Sequence, residues 1–594
     1  MKKLSKNIKR ALILTALSCA SVYIMPNIFY DMMPVCTASK VSASDALPLT
    51  FAQENISQEM MEAFKIADYQ QNAEAGDIAA QRRLAYTYYS GNGIKQDNEK
   101  AFHWWQKAAE QGDAVSQFNL ALCYDNGIGT KQNRQKAVHW FTAAAEQGLP
   151  EAQTNLAYHY EHGIGTEQNG QKAFTWYQKA AGQGLAEAQF SLGECYRNGI
   201  GIKQDDTQAA YWYTQAAEQG HAEAQFKLAL CYQNGKGVEK DDSQAVHWVT
   251  KAATQGHAVA QAKLAAYYGD GIGVEKDDSK LFYWLTKAAE QGHPRAQCGL
   301  ALCYKNGIGT EKNDTQAVYW YTKSAEQGIA DAQTELAFCY IVGDGTQQDN
   351  VQAIYWLKKA AEQNFAPAQY NLACCYSEGI GIEKDDTQAV YWLTKAAEQG
   401  YVDAQHQLAT FCQSGTFVEK DDTKAVYWFT KAAEQGHDKA QTELAFCYYS
   451  GIGIPQDDKQ AVHWFTKAAE QGNVDAQTEL AVCYYYGKGI TQDYNKAIYW
   501  VKKAADQNFA PAQYNLARCY CEGRGVEKDM TQAVYWFTKA AEQGLAEAQY
   551  DLALCYAEGT GTEKSIETSA YWLKKAAKQG YPPAQEAIAI MTKQ

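Results

Sequence analysis

Two apolar patterns alternate along nearly the whole chain, each with helical spacing and each closed by glycine. In the stretch DDTQAVYWLTKAAEQG, Asp385 to Gly400, the residues Ala389, Trp392, Ala396 and Ala397 fall at i, i+3, i+7 and i+8. That spacing predicts one apolar stripe on an amphipathic helix. Asp385 stands where an N-cap accepts from a free first-turn N–H, and Gly400 where a helix stops in the left-handed conformation. The other pattern, seen from Asp331 to Tyr340, places Ala332, Leu336, Ala337 and Tyr340 at i, i+4, i+5 and i+8. The sequence therefore predicts helix pairs joined by loops such as Gly379-Ile380-Gly381, where glycine supplies positive φ and a close crossing.

The tryptophans set the period. From Trp104 they recur at intervals of 36 residues through Trp572, and only Trp105 stands off this ladder. A fixed period in this range, held without insertion, is the signature of a solenoid. The predicted architecture is all-α: a right-handed superhelical solenoid of helix-turn-helix repeats, with fourteen full units over residues 77–580. Its contour would be on the order of 140 Å, at about 10 Å per unit. Residues 45–76 read as an N-terminal capping helix, with Ser57 as its cap, Met60, Phe64 and Ala67 on its apolar face, and Asp68 in the tryptophan register. Residues 581–594 read as the C-terminal capping helix.

Within the units, Asp97, Asn133, Asn169, Asp205, Asp493 and Ser565 stand as N-caps of the second helix. Asn364 and Asn508 replace the stop glycine, and Asn is the other residue that tolerates the left-handed state. Residues 475–544 echo 331–400 at an offset of 144, which reads as a recent duplication of a four-unit block.

Residues 1–44 are a targeting segment. Lys2, Lys3, Lys6, Lys9 and Arg10 precede the apolar run Ala11 to Met25, and Val41-Ser42-Ala43 offers a cleavage site. The same stretch is compatible with an uncleaved anchor, since Ala11 to Tyr30 carries no charge. Both readings place the repeats outside the cytoplasm: periplasmic, secreted or membrane-anchored facing outward. Cys19 adds a weak lipidation signal. The net charge of −14 and pI near 5.4 argue against nucleic acid, which requires concentrated Lys and Arg.

The motif AxxxLAxxYxxGxG, then Asp, then KAxxWxxKAAEQG, as in Ala440 to Gly453 and Ala461 to Gly472, resembles the Sel-1-like repeat of the tetratricopeptide superfamily. The resemblance covers about Asp77 to the C-terminus, with local departures at Phe417, Leu281, Ser569 and Gly182. It implies a non-catalytic adaptor, since members of the family act mainly in signalling, envelope biogenesis and host contact. It also implies that first helices line the concave side.

Candidate chemistry is thin. The GxG loops follow a helix rather than a strand, so they read as turns and not as nucleotide sites. Ten cysteines share one register: Cys123, Cys195, Cys231, Cys303, Cys339, Cys375, Cys447, Cys483, Cys519 and Cys555. Successive ones lie about 10 Å apart, beyond disulfide reach, and are read as buried thiols, with Cys298, Cys374 and Cys521 as positions to watch. Exported cysteine-rich relatives bridge within each unit, but the second cysteine is missing here. His103, His139, His247 and His463 occupy a register that is Tyr elsewhere and are read as packing residues. His159 and His162 with Glu161 make a weak metal candidate. No GxSxG, HExxH or SxxK occurs. No catalytic residue, metal ligand or cofactor is assigned.

What varies from unit to unit lies on the first helix. One register carries Phe118, Phe190, Phe226, Tyr370, Tyr514 and Tyr550; another, four residues on, carries Phe338, Phe446 and Arg518. These are the expected binding residues for a protein or peptide held in the groove. The function expected is a protein–protein interaction scaffold of the bacterial envelope or secreted space, with possible membrane association through the N-terminus. The alternative is an envelope enzyme or glycan-binding subunit acting on cell-wall polysaccharide, for which Tyr514, Tyr550 and Asp551 are the nearest platform.

Overall fold

The computed structural model describes residues 66–591. The expected targeting segment, with Cys19, and the beginning of the expected N-terminal cap, with Ser57, Met60 and Phe64, lie outside the described residues. Among those described, no helix is long and apolar enough to cross a membrane, and there is no strand. Residues 66–74 are helical, and helices follow in pairs from Ile78–Ser90 to Pro582–Met591. Two compact units divide the described chain, one closing at Gln327 and the other opening at Gly328. Each holds seven helix pairs, and the second adds Pro582–Met591. Within a unit, each helix packs on the helices before and after it in sequence.

The local signals act as expected. Asp385 accepts from the Gln388 N–H at 3.0 Å, and Asn133 accepts from that of Lys136 at the same distance. The Asp97 carboxyl is held below its ordinary value, first by the Lys100 N–H. Asn364 and Asn508 adopt φ of +63°. A Cβ on Gly129 would collide with the carbonyl of Asn98, so the second loop glycine permits a crossing over the preceding repeat's helix start. Phe417 takes that position at φ +65° and sets its ring edge-on to Phe411 at 4.9 Å.

The core stripe is shifted by one residue from the expected one. Ala389, Ala396 and Ala397 are buried, but Leu393 joins them in place of Trp392. Residue 393 is four from both 389 and 397, at the centre of the stripe, whereas the Trp392 ring lies at its margin, edge-on to Tyr391 at 5.0 Å. In the first helix, likewise, Cys339 is buried where Tyr340 is half-exposed.

A polar contact recurs inside this alanine-rich core. The first helix of every repeat carries a buried glutamine directly after its core alanine. Gln441 Nε2 donates to the Ala433 carbonyl at 3.0 Å, and Gln441 Oε1 accepts from Gln471 Nε2 at 2.8 Å. One amide thus ties the end of the preceding repeat's second helix to the end of its own repeat's second helix. The amide pair appears in all fourteen repeats, from Gln81–Gln111 to Gln549–Gln579. Burying an amide is tolerable only when its donors and acceptor are met.

Replacing Gln441 by Leu leaves the Ala433 carbonyl and the Gln471 amide without these partners. Denaturant titration is expected to show a loss of about 1–3 kcal/mol, with hydrogen exchange loosening residues 422–473 first. Uniform loosening throughout its unit would count against a locally acting relay.

Candidate functional site

The expected binding residues separate into covered and open ones. Phe118, Phe190 and Phe226 are only 8%, 7% and 7% exposed. Phe190 stacks on His221 at 4.8 Å, Phe226 on His257 at 5.2 Å, and Phe118 meets Phe141 at 5.9 Å. The histidines involved are themselves N-caps: His221 Nδ1 accepts from the Ala224 N–H at 3.1 Å. The cap residue of the next first helix therefore roofs Phe190 and Phe226, while Phe118 packs within its own repeat, so these three rings are corrected from presented to packed.

Tyr370 and Tyr550 are half-buried against Tyr401 and Tyr581, at 5.3 and 5.5 Å. Phe338 is half-buried, as is Phe446, which meets Phe465 edge-on at 5.1 Å. Tyr514 lies against Phe537 at 5.7 Å, and its hydroxyl donates to Asp551 Oδ2 at 3.0 Å. Arg518, one turn further along the same helix, is exposed.

Of the nine, Arg518 lines a cleft. A cavity of about 80 Å³ opens between helices Val474–Tyr486 and Ala510–Glu522, with Ala497 and Val501 of Tyr494–Asp506 also lining it. Tyr485, Tyr486, Arg518 and Glu522 form its polar and aromatic lining. The Tyr485 hydroxyl donates to Glu522 Oε2 at 2.5 Å. Glu522 also faces Arg518 Nη2 at 3.3 Å and Arg524 Nε at 3.2 Å, while the Arg524 guanidinium lies 5.5 Å from the Tyr485 ring centre. The Tyr485 hydrogen bond, ahead of the two guanidinium groups, holds the Glu522 carboxyl below its ordinary value. Tyr486 is left 66% exposed at the rim. This patch sets one large aromatic surface beside two guanidinium groups that share Glu522.

Sequence reasoning missed Tyr485, Tyr486 and Glu522, although the run Tyr484-Tyr485-Tyr486 is a visible irregularity. The register of His103, where tyrosine is usual, packs edge-on as expected but is also exposed. In the second unit, Tyr355, Tyr391, Tyr427, Tyr499, Tyr535 and Tyr571 are about half exposed, each edge-on to the following tryptophan.

Nucleophilic chemistry finds no support in the thiols. The ten register cysteines are buried, and burial pushes Cys519 up to about 11 and Cys123 up to about 12. Cys298, Cys374 and Cys521 are half-buried. His159 is a buried ring whose Nδ1 meets the Ile164 carbonyl at 2.8 Å, and His162 Nδ1 meets that of Tyr158. Among the described residues, no cluster of three or more suitable side chains would hold a metal ion.

The family model described as the Sel1 repeat matches residues 78–113 and each following window through 546–581, fourteen in all. Among solved structures, the chain is similar to a protective antigen present in uropathogenic Escherichia coli strains displaying an SLR fold. Identity is 31%, with 88% of this chain and 97% of that one covered and a TM-score of 0.49. It is also similar to a Sel1 repeat protein from Oxalobacter formigenes, at 36% identity, 52% and 88% coverage and a TM-score of 0.44. No curated protein matches the chain.

Two titrations check this geometry. In Tyr485→Phe, carboxyl NMR should show Glu522 titrating closer to 4.5 than in the parent. Because the folded value is depressed, its contribution to stability is present above the ordinary Glu range and lost as pH falls through the folded value. His406, stacked on His437 at 4.6 Å, is pushed down from 6.5 to about 4, chiefly by burial. The fold holds this ring neutral, so stability falls as pH drops from about 6.5 to about 4. Hydrogen exchange over 402–437 should report that loss, and His406→Phe should remove its share.

Proposed function

Because this chain belongs to the Sel1 repeat family, we propose that it is a non-catalytic scaffold that holds a protein or peptide partner along its first-helix face. Sel1 repeat proteins are generally protein-interaction scaffolds. The observation that carries the reading to a place is the cleft at Tyr486 and Arg518. An exposed tyrosine and a guanidinium stand on a braced network there, and Tyr and Arg are the residue types that dominate interface hot spots. The bracing matters because a side chain held in place loses less entropy when a partner arrives.

The glycan reading gains nothing from the geometry. Tyr514 and Asp551 bond each other and Tyr550 packs on Tyr581, so the expected aromatic and carboxylate platform is spent on internal contacts. Export remains part of the proposal: the basic n-region, the apolar run and the small-residue site in residues 1–44 support a periplasmic, secreted or outward-facing anchored protein.

The test uses the tagged full chain as bait in the cells that make it. Tyr486→Ala combined with Arg518→Ala should weaken partner capture at least tenfold, the equivalent of about 1.4 kcal/mol. Tyr391→Ala, on the second helix, should leave capture unchanged. Retention by the double variant together with loss in Tyr391→Ala would move binding to the other face and refute this assignment.

A further inference from the structure

The cleft at Tyr486 has a counterpart in the other unit with different chemistry. Eight repeats earlier in sequence, at the same repeat positions, Arg197 stands in the register of Tyr485, Lys227 in that of Asn515, Leu230 in that of Arg518, and Cys231 in that of Cys519. Here the cavity is about 280 Å³ and lies between helices Ala186–Asn198 and Ala222–Asn234, with Ala209 and Tyr213 of Asp206–Glu218 also lining it. Three cations line it, Arg197, Lys227 and Lys236, with the amides of Asn198, Gln204 and Asn234 between them. One carboxylate, Asp206, shares the lining.

The charges around the cavity are incompletely neutralised. Glu194 accepts from the Tyr213 hydroxyl and from Asn198 Nδ2 at 3.2 Å, and lies 3.6 Å from Arg197 Nη1. Lys227 stands 3.6 Å from Glu223, which is already engaged by His257 Nε2 at 2.7 Å. Lys236 has no carboxylate within ion-pair distance among the described residues. Gln204 is free as well. Its counterparts Gln96, Gln132, Gln168 and Gln492 donate to a main-chain carbonyl at the preceding helix end, and Gln204 makes no such bond. In a chain of net charge −14, a concave lining of three cations and one carboxylate differs from its surroundings, and Lys236 is the cation left to meet whatever enters.

Resting on the scaffold reading above, we propose that this cavity is a recognition pocket for a carboxylate of the partner, an acidic side chain or the carboxyl terminus of a peptide. Its volume is just below the range of small-molecule sites, roughly 300–1,000 Å³, and suits a side chain or two rather than a cofactor. Arg197 offers a planar fork, Lys227 and Lys236 offer mobile point charges, and the three amides offer neutral N–H donors. The pocket would select acidic segments, whereas the Tyr486 cleft supplies the apolar anchor.

The probe is a fluorescein-labelled deca-glutamate peptide, with deca-glutamine as its match, added to the full chain and read by anisotropy. Deca-glutamate should bind with an affinity that falls as salt rises, and deca-glutamine should not bind. Lys227→Gln with Lys236→Gln should weaken deca-glutamate at least tenfold, with an unchanged melting temperature. The matched pair Lys359→Gln with Lys395→Gln, on second helices of the other unit, should have no effect. Equal weakening by both pairs would reduce the effect to diffuse charge and overturn the proposal. Binding of glutarate or inorganic phosphate without deca-glutamate would overturn it in favour of a small-anion site. Failure here with partner capture through Tyr486 and Arg518 intact removes this pocket alone; loss of both removes the scaffold reading as well.

Discussion

Each repeat in this protein is tied by a buried glutamine amide that a second, exposed glutamine at the next helix end meets. The alanines around it are too small to fix helix orientation by shape alone, and they let the backbones approach closely. The amide supplies direction. It reaches eight residues back across the junction, as Gln441 to Ala433, and accepts from thirty residues ahead, as from Gln471. An insertion or deletion between those points would move a donor by at least one residue, and a buried amide without partners costs more than its bond contributes. This accounts for a tryptophan ladder that holds its 36-residue step without a slip.

A core fixed in this way leaves only certain positions free to differ. First-helix side chains beyond the glutamine can change, but they do not all face outward. The cap residue of the following helix covers the register of Phe190 and Phe226, which makes it part of the junction. One turn later the register opens, and the two clefts lie there: one carrying Tyr486 and Arg518, the other Arg197, Lys227 and Lys236. The same frame thus presents an aromatic anchor in one unit and a cationic pocket in the other.

Much of the fold was legible in the sequence because its signals are local. Asp385 and Asn133 cap, Asn364 and Asn508 take positive φ, and the cysteine register is buried. Legibility failed where the answer depends on a neighbouring repeat. A helical glutamine looks like a solvent-facing residue until the carbonyl it bonds is seen on another helix. His221 does not read as a cap, nor as a roof for Phe190, from either stretch alone. The periodicity of Trp392 marked the repeat correctly, yet bulk drew attention to it over Leu393, which occupies the centre of the stripe. The clefts depend on side chains from three successive helices, so only the irregular tyrosine run hinted at one of them.

The central claim is that the first-helix face, held by the amide relay, meets the partner. Photocrosslinking from a benzoyl-phenylalanine placed at Leu230, Tyr486 or Tyr391, in the full chain and in living cells, tests it most directly. The account requires one and the same partner to be trapped from Leu230 and Tyr486 and not from Tyr391. A partner trapped from Tyr391 alone would place recognition on the second helices and contradict it.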